Sequence, residues 1–228
     1  MWGINRRYLN TEANFTDPVA RTERFEQKTE ADELILRDTT YYRVLNLSTG
    51  QTFNENATSY WHKSIGGYHP AKLQRYQDLI DRQLTPEISR LGEGVVMAPG
   101  AEMAELRDSL CPVLSMLNMK YVILPAGDGR QVVALNRHAN GNGWFVGKLR
   151  FVSGADAEMA ALTGLDTRRE AVADSRFRAA LDGPTHGDGT VTLTAYEPNE
   201  LHYDISSPQG GVVVFSEVFY PGWTATVD

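Results

Sequence analysis

The sequence predicts an α+β fold, in which a mixed α/β domain precedes an antiparallel β meander or partial β-sandwich. Three observations support this prediction. Helical and strand-like hydrophobic periods alternate between residues 39 and 182. Three glycines and a proline then interrupt the pattern at 182–189, where a linker or long turn is expected. From residue 190 onward, short alternating strands are separated by turn residues.

The chain of 228 residues is longer than an average domain, which holds about 100–150 residues. We expect an irregular or partly helical segment at 1–38, the mixed domain at 39–182 and the β segment at 190–228. Trp2, with two arginines at residues 6 and 7, is typical of a flank where a helix leaves a membrane, and an ordinary exposed aromatic is the alternative. The last residues alternate like a strand and have no closing turn, so we expect the final strand to be truncated. Together, these two features lead us to expect that both ends are cuts within a longer protein.

The first half of the mixed domain predicts one strand and two helices. Aromatic and branched residues at Thr40–Leu47 favour a strand. After a long loop, Pro70 suits the first position of an amphipathic helix over 70–84. A second helical pattern covers 102–117, and Pro112 is expected to kink or split it.

The second half of the mixed domain predicts a hairpin around Gly127-Asp-Gly129, followed by alternating strand and helix. Its expected elements are the strands Met119–Leu124, Gln131–Asn136 and Trp144–Val152 and the helices Ala155–Leu162 and Ser175–Leu181. Beyond the break, the expected strands are Thr190–Tyr196, Leu201–Ser206, Gly211–Tyr220 and Trp223–Val227.

Composition excludes several classes of protein. The net charge is −7 and the basic residues are scattered, so no nucleic-acid partner is expected. The single cysteine, Cys111, has apolar neighbours at helical spacing, which indicates a packed core thiol. The longest apolar runs have strand length, far below the ~20 residues that cross a bilayer, so this chain is not expected to span a membrane.

The densest group of polar and aromatic residues lies at 59–76, around a Gly-Gly pair and the start of the predicted helix at Pro70. Free N–H groups at a helix start attract anions, and aromatic rings can stack on a sugar, so this loop is our candidate ligand site. An alternative is that the loop only packs its aromatics onto the sheet. The candidate ligand-binding residues are Trp61, His62, Lys63, Gly66, Gly67, Tyr68, His69 and Lys72.

Other chemistry finds little support in the sequence. No metal-ligand spacing, phosphate loop, dinucleotide fingerprint or nucleophile elbow occurs, so neither a metal nor a cofactor is expected. Asp78 and Asp81 are expected on a solvated helix face. Glu217 interrupts an apolar run, which suits an edge strand better than a catalytic acid.

Several stretches of the sequence carry a family resemblance. They are YYRVLNL at 41–47, FN at 53–54, TSYWHKSIGGYH at 58–69, AKLQRYQDLI at 71–80, MLNMKYVI at 116–123 and SEVFYPGW at 216–223. They resemble the C-terminal extracytoplasmic region of YfhO-like bacterial membrane proteins, in the form seen in Bacteroidota. The resemblance covers most of the chain from about residue 40.

The resemblance implies upstream transmembrane helices and a C-type glycosyltransferase architecture, which passes a sugar from a polyprenyl-phosphate donor to an acceptor outside the cytoplasm. Such enzymes are expected to hold their catalytic carboxylate in an early extracytoplasmic loop, so no residue of this chain inherits that role. The chain would lie at the periplasmic face of the inner membrane. Its expected partners are its own transmembrane domain and a lipid-linked sugar phosphate or envelope glycan.

Three functional hypotheses follow. The leading one is an accessory extracytoplasmic domain of a membrane glycosyltransferase. The second is a free-standing glycan-binding or adhesin-like module, which predicts sugar binding by the isolated chain. The third is a soluble glycoside hydrolase, which predicts turnover and two carboxylates that converge in one cleft.

Overall fold

The computed structural model describes residues 27–107, 111–127 and 129–227. The fold is α+β, as the sequence predicts. A mixed sheet contains the strands β1 (Arg43–Asn46), β2 (Val95–Val96), β3 (Ala104–Leu106), β4 (Met119–Pro125) and β5 (Gln131–Leu135). Their order across the sheet is β1-β4-β5-β3-β2. Neighbouring strands are parallel at β1–β4 and β3–β5 and antiparallel at β4–β5 and β2–β3.

Both faces of this sheet are covered. Successive residues of a strand point to opposite faces, so each strand contributes to two core clusters. On one face, Leu45 and Val122 pack with apolar residues of the helices over 74–91 and 112–116. On the other face, Val44 and Ile123 pack against helix α1 (Glu30–Ile35), which lies within the predicted segment 1–38. Residues 1–26 of that segment lie outside the described residues.

The helix expected over 70–84 begins later and ends later. Residues 70 and 71 form a turn, and helix α3 starts at Gln74 (Gln74–Leu79) because Leu73 is still extended, with ψ 130°. A π-helical turn follows at Ile80–Leu84 and leads into helix α4 (Thr85–Leu91). Pro86 lies two residues after the end of this turn and has no N–H to donate to it. Pro70 was therefore wrongly placed at the helix start.

The helical pattern expected over 102–117, kinked or split at Pro112, is wrong in its first part, and residues 108–110 lie outside the described residues. Its first part is strand β3, in which Ala104 and Leu106 are buried and Glu105 is exposed, so the period is two. Its last part is helix α5 (Pro112–Met116), where Pro112 occupies the N-terminal turn and starts the helix instead of kinking it. Cys111 is buried beside that helix start, as expected for a core thiol.

The strands predicted after residue 119 are mostly confirmed. The β4–β5 hairpin forms, with Tyr121 opposite Leu135 and Pro125 opposite Gln131. The strand expected at Trp144–Val152 is divided at Gly147 into β6 (Gly143–Val146) and β7 (Lys148–Val152). The two parts have different partners, since β7 runs parallel to β8 (Glu170–Asp174) after helix α6 (Ala155–Ala161). Ser175–Phe177 is one turn of 3-10 helix, shorter than the helix expected there.

The C-terminal strands form two antiparallel pairs. Strands β9 (Thr190–Glu197) and β10 (Glu200–Ser206) make a hairpin, whereas β11 (Val212–Phe215) pairs with β6. The pairs pack closely, because a Cβ on Gly143 would meet Val191 of β9 and Phe215 of β11. Pairing therefore joins the predicted segments 39–182 and 190–228, whose boundaries stay a prediction. Residues 223–227 form no strand.

None of the helices at 27–107, 111–127 or 129–227 has both the length and the apolar character that a bilayer crossing requires.

Candidate functional site

The eight residues predicted to form one ligand site have side chains that contact different parts of the molecule. Trp61 lies at the end of helix α2 (Ala57–Trp61), next to α1. His62 is buried and Lys63 reaches β9. The remaining residues pack on or near the loop at 52–55 or face solvent. We therefore describe the region as two surfaces, which share no residue.

His62 is a structural residue. Its imidazole Nε2 lies 2.8 Å from Oδ1 of Asp32, and only 1% of its side chain is exposed. The other carboxylate oxygen of Asp32 accepts hydrogen bonds from the backbone N–H and the hydroxyl of Thr29, which completes a capping box on α1. Burial favours a raised pKa for Asp32, but the bonds from His62 and Thr29 outweigh it and hold this pKa below its ordinary 3.8.

The Gly-Gly pair is explained by close backbone packing. A Cβ on Gly66 would overlap the carbonyl oxygen of Thr52. Gly67 has a positive φ of 104°, and its N–H donates to the same carbonyl at 2.8 Å. Glycine suits both positions, because it has no Cβ and tolerates positive φ. The pair joins two loops and makes no phosphate-binding turn.

The last three predicted residues make local contacts. Tyr68 is exposed, and His69 accepts a hydrogen bond at Nδ1 from the N–H of Ala71. Nζ of Lys72 lies 5.8 Å from the ring centroid of Phe53. Because the helix begins at Gln74, the free helical N–H groups expected at Pro70 are not found there. Ligand binding by Tyr68, His69 and Lys72 stays a prediction.

The first surface is an open polar hollow between α1 and α2, which we call the Trp61 hollow. It is lined by Gln27, Lys28, Glu33, Tyr60 and Trp61. The rings of Tyr60 and Trp61 meet edge to face with centroids 5.0 Å apart, and Nζ of Lys28 lies 4.5 Å from the Trp61 centroid. The hollow thus combines two aromatic rings, a cation, an amide and a carboxylate.

A buried hydrogen bond joins the two helices that form the walls of the Trp61 hollow. Lys28 directly precedes Thr29, which caps α1, and Trp61 directly precedes His62. The bond between Asp32 and His62 therefore joins the wall on α1 to the wall on α2. At the other end of α2, Thr58 receives a hydrogen bond from Asn46 of β1, and its own N–H donates to Glu55. A ligand in the hollow would meet a site that is already formed.

The second surface surrounds Lys63, and we call its six residues the Lys63 cluster. They are Tyr41, Arg43, Lys63, Tyr196, Tyr203 and Glu217. Tyr41 and Tyr196 stack with centroids 5.3 Å apart, and Nζ of Lys63 lies 3.1 Å from the Tyr196 centroid and 4.6 Å from that of Tyr41.

Ionised groups of the Lys63 cluster act on each other. Nη2 of Arg43 donates to Oε2 of Glu217 at 2.7 Å. Partial burial lowers the pKa of Lys63 below its ordinary 10.5; Glu217 opposes this shift and Arg43 adds to it. Burial, with a further contribution from Glu217, raises the pKa of Tyr203 to about 12, and its hydroxyl has no hydrogen-bond partner in the part of the chain that the structure describes.

Two further perturbed groups lie in the core. Both carboxyl oxygens of Glu87 accept backbone N–H groups at the start of α5, from Val113 and Leu114 at 2.9 Å each. Burial nevertheless raises the pKa of Glu87 to about 7. Burial also raises the pKa of the Cys111 thiol to about 11, so this cysteine is not an activated nucleophile. Glu87 caps a helix, and we assign it a structural role.

The structure also locates the other acidic residues that the sequence singled out. In the described ranges, no group of three or more histidine, cysteine or acidic side chains is placed to hold a metal ion. Asp78, which is partly buried, and Asp81, which is exposed, accept hydrogen bonds from glutamines one helical turn earlier. Glu217 is bonded to Arg43, a partner that its position in an apolar run did not indicate.

Comparisons with protein-family models, with curated proteins and with solved structures gave no match for this chain. The resemblance to YfhO-like proteins therefore stays a prediction.

Sequence reasoning found one residue of the Trp61 hollow, Trp61, and one of the Lys63 cluster, Lys63. Apart from Tyr60, the residues that were missed come from distant segments, and their types alone did not mark them. Tyr60 was within the loop considered and carried a usable signal, since it adjoins Trp61. For Lys28, Glu33, Tyr196 and Tyr203, the sequence offers no comparable signal.

Proposed function

We propose that this chain is an accessory, extracytoplasmic domain of a multi-pass membrane protein related to the YfhO-like family, and that it recognises the sugar of a lipid-linked donor or envelope glycan. The observation that carries this proposal is the Trp61 hollow. It places Lys28 at 4.5 Å from the Trp61 ring, in an open recess lined by further polar groups.

The chemistry of the hollow suits a sugar that bears a phosphate. Aromatic rings offer flat apolar faces to the C–H side of a pyranose, and Gln27 and Glu33 supply a donor and an acceptor for its hydroxyls. Lys28 supplies a positive charge at the same recess, which attracts a phosphodiester. The edge-to-face contact with Tyr60 stabilises the Trp61 ring in place.

An accessory role is favoured over catalysis by how the described acids are used. Asp32 and Glu87 are bonded to structural groups, and Glu217 is bonded to Arg43. The hollow contains a single carboxylate, Glu33, whereas glycoside hydrolysis needs a pair about 5–10 Å apart. We therefore propose that the reacting groups belong to the membrane part of the protein.

Binding of a short-chain polyprenyl analogue tests this proposal. Farnesyl-phosphoryl glucose is titrated against the chain, with tryptophan fluorescence as the readout, and a dissociation constant of roughly 0.1–1 mM is expected. Tyr60→Ala and Lys28→Met leave the Trp61 indole in place as the reporter and should each weaken binding at least tenfold, which corresponds to about 1.4 kcal/mol. Tyr220→Ala is the matched control, because Tyr220 is 54% exposed and Tyr60 is 52% exposed.

The same titration separates the three hypotheses. Equal affinity for free glucose oligosaccharides and for the phosphoryl lipid would favour a free-standing glycan-binding module. Release of free sugar by the chain alone would favour a hydrolase. Absence of binding to both ligands would overturn the proposal for the hollow. For the membrane part, the natural gene should encode several apolar segments of about 20 residues upstream.

A further inference from the structure

The Lys63 cluster is assembled from segments that are far apart in the sequence. Tyr41 precedes β1, Arg43 lies in β1, Lys63 follows α2, Tyr196 and Tyr203 lie in β9 and β10, and Glu217 follows β11. It shares no residue with the Trp61 hollow. What the cluster binds can therefore be considered separately from the proposed function.

Three of the four N–H groups on the terminal nitrogens of Arg43 are used within the protein. Nη1 donates to the carbonyl oxygens of Leu117 and Ser216 at 2.9 and 2.7 Å, and Nη2 donates to Glu217. Only 18% of its side chain is exposed. Arg43 thus fixes the position of Glu217 and of the chain after β11, and it serves as the base of the cluster.

Lys63 differs from Arg43, because its ammonium contacts ring faces and no oxygen. No acceptor within the described ranges takes a hydrogen bond from its Nζ, which lies over the rings of Tyr196 and Tyr41. An ammonium carries three N–H donors, and a cation–π contact uses its charge without using them. These donors are open to water or to an acceptor group on a ligand.

The charges of the cluster do not balance. Arg43 and Lys63 contribute two positive charges and Glu217 contributes one negative charge, which leaves one positive charge in a chain whose net charge is −7. A single negative charge would neutralise it. A dianion would add repulsion from Glu217, because that carboxylate acts electrostatically on Lys63.

The tyrosines add the features of a site for a ring. Tyr41 is 40% exposed, so part of its ring is open to a ligand while the ring stacks on Tyr196. The hydroxyl of Tyr203 is buried and has no hydrogen-bond partner among the described residues.

We propose that the Lys63 cluster binds a sugar that carries one carboxylate, as in a uronic acid. The carboxylate accepts hydrogen bonds from Nζ of Lys63, and the sugar ring lies against Tyr41. This proposal does not depend on the Trp61 hollow.

Sodium glucuronate is the probe for this site. It is titrated against the isotope-labelled chain by NMR, with a dissociation constant on the order of 1 mM expected and the largest shifts at Tyr41, Lys63 and Tyr196. Lys63→Met keeps the aliphatic stem and removes the charge, so it should weaken binding at least tenfold. Lys148→Met is the control, since Lys148 is an exposed lysine paired with Glu170.

Glucose and glucose 6-phosphate complete the test. Glucose should bind at least tenfold more weakly than glucuronate, and glucose 6-phosphate should not bind more tightly than glucuronate. Unchanged glucuronate affinity in Lys63→Met, or glucose binding as tight as glucuronate, overturns the proposal. The proposal is also overturned if glucuronate shifts the NMR signals of the wild-type chain mainly at the Trp61 indole. This measurement does not depend on the folding of a variant. If the phosphoryl lipid does not bind at the Trp61 hollow but glucuronate still binds at the Lys63 cluster, only the proposed function is overturned.

Discussion

Nε2 of His62 lies 2.8 Å from Oδ1 of Asp32, and this hydrogen bond joins the two helices that form the Trp61 hollow. The sequence suggested that His62 faces a ligand, whereas the structure buries it. A buried imidazole needs a partner for its polar nitrogens, and Asp32 supplies one while it also caps α1. His62 therefore acts on the hollow by fixing its walls.

Asp32→Asn should destabilise the protein. The asparagine side chain has one acceptor oxygen, whereas Asp32 uses one oxygen for Thr29 and the other for His62. One of these hydrogen bonds is therefore lost, and at pH 7 the free energy of unfolding should fall by about 1–3 kcal/mol. Urea denaturation measures this change. Asp81→Asn, which alters an exposed carboxylate, should change it by less than about 0.5 kcal/mol.

The effect of Asp32→Asn should also depend on pH. The folded pKa of Asp32 is held below 3.8, so its stabilising contribution is present above that pH and is lost as the pH falls through the folded value. The difference between wild type and variant should therefore shrink when denaturation is repeated at pH 3 and below. A difference that is absent at pH 7, or that grows in acid, would contradict this assignment.

Glu87→Gln should alter the pH dependence in the opposite sense. Burial raises the pKa of Glu87 from 4.5 to about 7, so between these values the folded state holds a proton that the unfolded state has released. The contribution of Glu87 to the free energy of unfolding is fully present below pH 4.5. It decreases by about 3 kcal/mol as the pH rises to about 7. Denaturation midpoints measured from pH 4.5 to 8 should slope less in Glu87→Gln. Identical slopes would rule out a titrating Glu87.

Arg43→Met should loosen the attachment of the C-terminal segment. The change removes three hydrogen bonds and leaves the partly buried Glu217 without its partner, so we expect a loss of about 2–4 kcal/mol in urea denaturation. Adding Glu217→Gln should recover part of that loss. Arg37→Met is the matched control, because its pair with Glu102 is 66% and 70% exposed and should contribute less than about 0.5 kcal/mol. Equal losses in the two arginine variants would refute the role of Arg43.

Gly66→Ala should be far more damaging than Gly92→Ala. The new Cβ at residue 66 would overlap the Thr52 carbonyl, and forced backbone movement costs about 1–3 kcal/mol. Gly92 has φ −59° and no atom within 4 Å of an added Cβ, so alanine there should be neutral or stabilise by up to about 1 kcal/mol. Thermal unfolding of both variants gives the comparison. Similar melting temperatures would show that the Gly66 loop has room to adjust.

Short-range patterns predicted the local structure where one period dominated. The β4–β5 hairpin follows from two alternating runs around a glycine turn, and Cys111 was correctly placed in the core. The first part of the helical pattern over 102–117 was wrong because Leu106 fits both a helical period with Leu110 and an alternating period with Ala104. The five-stranded sheet resolves this ambiguity, since β3 pairs with both β2 and β5.

The sequence by itself determined the α+β class, the position of the hairpin and the concentration of aromatic and basic residues near residue 60. The tertiary structure decided which of those side chains meet. Lys63 reaches Tyr196 across 133 positions and Arg43 reaches Glu217 across 174, and no local period encodes such contacts. They arise because β11 pairs with β6, and burial then requires each charged or polar group at the junction to find a partner.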